Sequence, residues 1–271
     1  MEYLVTTIDQ VVRFVYILPF LVVATFQYVR GGGKISFNFF LQIFLILGFL
    51  LLANLGTAFP RHPIFYGTSW NWQYKLWQII IALIFIFGVF RRPRELGLRL
   101  PEKGSQPVMW FVLACMVIFT TAVALWNRTV LFSREGTLGI ETLPLVETTL
   151  FEAFMPGLSE ELIYRGIVLL GFAAIFSRPK INLLDAPVGW EAPISIFLFL
   201  LAHHTFVEPS TMEIDFFTVF RVYTPLDWLL NILSSGFMTW IVLRTKSILP
   251  SIFMHGYGAA IGPFLTLVLG K

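Results

Sequence analysis

Two glutamates, two histidines and an arginine stand out in a chain that is otherwise nearly all apolar. They fall in three pieces: Glu160, Glu161, Tyr164 and Arg165 in the first; Phe199 and His203 in the second; and His255, between Ser251 and Ala259, in the third. Each piece lies in or at the edge of an apolar stretch long enough to span a bilayer. An ionisable group at membrane depth costs about 3 kcal/mol or more on insertion scales, so an uncompensated set would not persist there by accident. The three pieces therefore read as one buried site. Its chemistry would be that of a buried carboxylate acting as a general base beside an imidazole that stabilises it, with a second imidazole donating to an oxyanion.

Helix geometry divides the roles. Neighbours on a helix point about 100° apart, so Glu160 and Glu161 cannot act as a facing pair. Glu161 and Arg165 are four apart and share a face, which assigns them to structure as an ion pair. Glu160 shares its face with Tyr164 and is left for chemistry. His203, one turn after Phe199, is its candidate partner. His255 has Ser251 one turn before it and Ala259 one turn after. Gly258 and Gly262 form a small-xxx-small pair that would let another helix come close. The site so read has Glu160, His203 and His255 as catalytic groups, supported by Glu161, Arg165 and Tyr164. The other polar side chains take plainer readings. His204 is interfacial, and Trp70, Trp72 and Trp77 are an aromatic belt. Asn54, Asn127 and Asn231 are local hydrogen-bonders. Cys115, the single cysteine, is a small core or lipid-facing residue that can form no intrachain disulfide.

Membrane helices must hold these residues. The 271 residues are 57% hydrophobic and only 13% charged. A soluble domain carries about 25% charged residues, so the class is an all-α polytopic membrane protein. The 29 phenylalanines fit lipid-facing surface. Eight apolar runs are predicted spans: 8–29, 37–58, 72–90, 107–126, 143–176, 193–207, 227–243 and 247–269. The fifth is too long for one span, and Pro156 and Gly157 predict a break, with Ser159 capping the helix that follows. No basic segment precedes the first run, which reads as a span and not as a cleaved leader. Loops one, three, five and seven carry eleven Lys and Arg, led by Arg91, Arg92, Arg94, Arg99 and Lys103. The other side has six: Arg61, Lys75, Arg128, Arg134, Arg221 and Lys271. This bias puts both termini on the non-cytoplasmic side of a plasma (inner) or organellar membrane. Loop three is predicted to be a solvated cytoplasmic loop that meets anionic lipid, with no nucleic-acid role. One integral membrane domain is expected, with N-terminal helices over 1–142 and a core over 143–271.

The core resembles the CPBP group, also called the abortive-infection or Ras-converting CAAX-endopeptidase family. Glu160, Glu161 and Arg165, followed by Gly166, match its Glu-Glu-x-x-x-Arg motif. Phe199 and His203 match Phe-x-x-x-His, and His255 matches the first position of His-x-x-x-Asn. Ala259 stands where that Asn belongs. Leu96, Gly97 and Leu98 resemble a loop that many members carry before the core. The resemblance implies an α-helical intramembrane protease without metal or cofactor, acting on a membrane-bound or prenylated peptide or protein. It assigns Glu160 as base, His203 as water-orienting group and His255 as oxyanion contact. Ala259 removes one oxyanion donor, a loss worth about 3 kcal/mol. That departure implies the alternative of a catalytically impaired pseudoprotease serving as scaffold, assembly or immunity subunit in a membrane complex. A zinc protease is disfavoured by the lack of His-Glu-x-x-His, and a transporter by the lack of inverted repeats. Counting from the cytoplasmic span ends puts His255 about 12 Å deep, His203 about 15 Å and Glu160 about 24 Å. A common site therefore needs tilt or a break.

Overall fold

The computed structural model describes residues 2–58, 70–134, 142–177, 180–203, 206–207, 211–217 and 224–269. Arg61, Arg178, His204, Arg221 and Lys271 lie outside these residues, as do the side chains of Asn127, Arg128 and Arg134. Among the described residues the chain forms eight main helical stretches. α1 is Glu2–Arg30, α2 Phe37–Leu55 and α3 Trp72–Leu83, the last running on in wider turns through Ile84–Phe90. α4 is Gln106–Arg134. α5, Thr142–Glu160, passes into a π-helical segment, Glu161–Leu170, and then into α6, Gly171–Ile175. α7 is Glu191–Ala202, α8 Pro225–Thr245 and α9 Leu249–Leu269. Five stretches are long and apolar enough to cross a membrane: Tyr3–Arg30, Phe37–Ala58, Trp72–Phe90, Lys103–Trp126 and Leu249–Leu269. The protein is an integral membrane protein. Phe26, Phe44, Phe111 and Phe119 point outward, as does Cys115, which suits a lipid-facing surface.

Side chains start two of these helices. Ser36 accepts the Phe39 N–H at 3.2 Å to cap α2, and Asn71 accepts the Tyr74 N–H at 2.9 Å to cap α3. A short antiparallel hairpin precedes α7, with β1 at Ile181–Leu183 and β2 at Ala186–Val188. The Arg244 guanidinium donates to the Leu184 carbonyl and to Asp185 at its turn.

The fifth apolar run departs from the break predicted at Pro156 and Gly157. The helix continues through both. Pro156 has no N–H to give the carbonyl one turn back, and a bundle can absorb that loss. Ser159 is no cap; its hydroxyl turns back and donates to Met155 O at 2.7 Å. The irregularity falls just after, in the π-helical segment, whose ten residues are all buried.

The close helix contact also lies elsewhere than predicted. A Cβ on Gly258 or Gly262 would meet nothing within 4 Å. One on Gly157 would lie 2.8 Å from Ile252 O and 2.9 Å from Gly256 N, while one on Gly256 would strike Ala153 O. Gly157 and Gly256 therefore bring α5 and α9 into backbone contact. The contact is out of phase with the stripe that the sequence pattern suggests, and Gly258 is exposed.

Loop three is docked, not freely solvated. Gly97, at φ +84°, presses on Leu170 and Ile248, and its carbonyl accepts Ile248 N at 3.1 Å. The Ser247 hydroxyl donates to Arg99 O at 2.6 Å, and Arg99 Nε donates to Lys246 O at 2.9 Å. This loop thus pins the turn from which α9 starts, and α9 carries His255.

Candidate active site

The end of α5 and the π-helical segment put Glu160, Glu161, Tyr164 and Arg165 in the middle of the bundle. All four are buried, and Glu161 and Arg165 are fully so. His203 follows the last turn of α7. Its Nδ1–H donates to Phe199 O at 2.9 Å, which aims Nε2 at the glutamates. His255 comes from α9, whose approach is set by Gly157 and Gly256. Its Nδ1–H donates to Glu161 Oε1 at 2.9 Å.

These contacts bring the three predicted catalytic side chains together. Glu160 Oε2 lies 3.6 Å from His203 Nε2 and 3.8 Å from His255 Nε2. The three side chains meet although the depths counted along their spans differ. Phe199 lies at the hub. Its ring sits 4.2 Å beneath the Arg165 guanidinium, with the rings of His203, Tyr164 and His255 at 4.9, 5.5 and 5.9 Å. The motif phenylalanine is therefore a cation–π platform as well as a spacer.

Glu161 and Arg165 pair, with Nε 3.4 Å from Oε2, and Arg165 Nη2 donates to the buried Ser235 hydroxyl of α8 at 2.9 Å. Glu161 does more than the ion-pair reading assigns it, since its other oxygen holds His255. An anion on Nδ1 balances the charge of a doubly protonated ring, in which Nε2–H becomes a donor.

Glu160 is not the unpaired carboxylate expected. Lys75 Nζ donates to its Oε1 at 2.6 Å, with 13% of the lysine side chain exposed. Glu160 thus faces Lys75 as Glu161 faces Arg165. By sequence Lys75 counts among the loop charges, although it falls inside the predicted span 72–90, and that position is the available signal. The tryptophans near it are not a simple belt. Trp70 Nε1 donates to Thr148 and Trp72 Nε1 to Glu147, fastening the start of α3 to α5.

A second polar network also escapes the sequence patterns. In α1, Arg13 pairs with Asp9 at 2.6 Å, and Asp9 accepts the Phe206 N–H just beyond α7. Asn54 donates to Gln10 at 3.0 Å and accepts from Tyr74 at 2.9 Å, while Gln78 donates to Tyr74 at 2.6 Å. Asn54 is therefore a junction of three helices, not a local hydrogen-bonder. Asp9 and Arg13, four apart inside the first span, are its visible trace.

A family model described as type II CAAX prenyl endopeptidase, Rce1-like, matches residues 142–261. Comparison with curated proteins finds no match, and neither does comparison with solved structures. The matched stretch holds every motif position from Glu160 to His255, and over that stretch the chain is similar to the CAAX protease (CPBP) family.

Proposed function

We propose that the chain is an intramembrane glutamate-type endopeptidase that cleaves membrane-associated or prenylated peptides with water activated by Glu160 and His203. One observation carries this reading. The buried Glu160 Oε2 has no hydrogen-bond partner, while the Nε2 atoms of both histidines face it at 3.6 and 3.8 Å. Those separations exceed hydrogen bonds, so Oε2 keeps its lone pairs for a water within reach of both rings. In the reaction Oε2 takes a proton from that water as its oxygen attacks the scissile carbonyl carbon. His203 Nε2 orients the water. His255, doubly protonated against Glu161, donates Nε2–H to the oxyanion. The proton on Glu160 then passes to the leaving nitrogen as the C–N bond breaks. Glu161, Arg165 and Tyr164 hold this arrangement and take no part in proton transfer.

Ala259 favours a second reading, in which a pseudoprotease keeps the framework as a scaffold, assembly or immunity subunit. The two separate on a panel of prenylated and unprenylated membrane peptides. The endopeptidase reading expects cleavage by the wild-type chain and none by a folded Glu160→Gln chain. Equal turnover by both would refute Glu160 as the base, and none by the wild type across the panel would favour the scaffold.

A further inference from the structure

The lysine that reaches Glu160 comes from 85 residues away in the chain and from outside the matched stretch. Lysine is normally a mobile, strongly hydrated point charge. Here it is held. Asn71 caps the turn that carries it, and Trp70 and Trp72 fasten that turn to α5. The ammonium also lies 5.5 Å from the centre of the Tyr74 ring. Nothing in the ion pair of Glu161 and Arg165 requires this second cation.

The two oxygens of Glu160 are in unlike places. Oε1 accepts the Lys75 ammonium at 2.6 Å, a short charge-assisted bond. Oε2 faces the imidazoles and has no hydrogen-bond partner. A carboxylate on a flexible side chain could present either oxygen, or rotate between them; the ammonium removes that freedom. We propose that Lys75 is a positioning residue: it fixes Glu160 by one oxygen so that the other is presented to His203, His255 and the attacking water. The proposal rests on the endopeptidase reading. In the hydrolysis Lys75 keeps all three protons. Oε2 alone takes the proton from water as the new C–O bond forms, and Oε2 returns it to the leaving nitrogen as the C–N bond breaks.

The test uses the full chain in detergent micelles and a quenched fluorescent peptide carrying a farnesylated cysteine in a C-terminal Cys-aliphatic-aliphatic-X sequence. Lys75→Met should lower kcat about tenfold or more with KM changed less than about twofold, because positioning acts on the transition state and not on ground-state binding. Lys75→Arg should recover some of the rate. Lys75→Cys in a Cys115→Ser background should regain activity after reaction with an aminoethyl thiosulfonate, which rebuilds a side chain ending in an ammonium, and not after a methyl thiosulfonate. The arginine and cysteine forms decide the matter should Lys75→Met not fold. An inert wild-type chain overturns the endopeptidase reading and this proposal with it. An active wild type that Glu160→Gln silences, but whose kcat survives Lys75→Met or Lys75→Cys within about twofold, overturns the proposal alone. So does a loss that neither arginine nor the amine reagent restores, which would mark Lys75 as structural only.

Discussion

Removing the Arg165 guanidinium would leave the fully buried Glu161 without its paired cation, and would also strip Ser235 of its donor. Breaking a buried pair from one side costs about 3–5 kcal/mol. Arg165→Ala should therefore lower the folded yield after detergent extraction well below that of Glu160→Gln; equal yields would refute the structural assignment. Ala259 bears on the chemistry instead. Ala259→Asn adds a donor one turn beyond His255, on the same helix face, and an oxyanion donor is worth about a hundredfold in rate. The position is partly buried. The variant should cleave membrane peptides faster than the wild type; folded protein with an unchanged rate would show that Ala259 marks no missing donor. At this scale Glu160, Glu161, Arg165, His203 and His255 were legible because each places polarity where an apolar span leaves no innocent explanation. Lys75 was not, because a cation near a span entrance resembles a loop charge until a structure shows what it touches.

Helices were legible wherever an apolar run had clear ends, and the eight runs correspond to the eight helical stretches among the described residues. The fine structure of those helices was not. Pro156 suggested a break because its own hydrogen bond is lost, but the helix runs on within the packed bundle. The glycine stripe was misphased because sequence spacing alone cannot say which of Gly256, Gly258 and Gly262 faces a neighbour. The structure makes that choice testable. Gly256→Leu would drive a side chain into the Ala153 carbonyl, whereas Gly258→Leu would meet open space. Overpacking typically costs about 1–3 kcal/mol. The Gly256 variant should melt at a distinctly lower temperature in detergent and lose activity through a displaced His255, and the Gly258 variant should do neither. Equal melting temperatures would count against the α5–α9 contact.

At the level of the whole molecule, the family pattern covers residues 142–261, and the helices before it could be read from sequence only as apolar. Yet those helices supply Lys75 and the network of Asp9, Gln10, Arg13, Asn54, Tyr74 and Gln78. Such contacts are set by tertiary approach between residues far apart in the chain, and no local spacing encodes them. Asn54→Leu removes the junction of α1, α2 and α3 and leaves the Gln10 carbonyl and the Tyr74 hydroxyl short of a partner. Stranding a buried polar group costs about 1–3 kcal/mol, so thermal stability should fall. An unchanged melting curve would show that the network does not bind the bundle together.

The pairing of Lys75 with Glu160 has a consequence for how the chain can be divided. Lys75 belongs to the N-terminal half of the chain and Glu160 to the C-terminal half, so their ion pair joins the two halves at the site. Severed between α4 and α5, each fragment would hold one member of this ion pair and lack the other. Co-expressed in a single membrane, the halves should find each other and assemble as a split protein, while either alone should be degraded. Reversing the sign at both positions, Lys75→Glu with Glu160→Lys, should preserve that reassembly while abolishing hydrolysis, whereas either reversal alone should prevent it. Co-purification of the tagged halves reads this out directly, and fragments that associate equally well with a single reversal would show that apolar packing alone joins them.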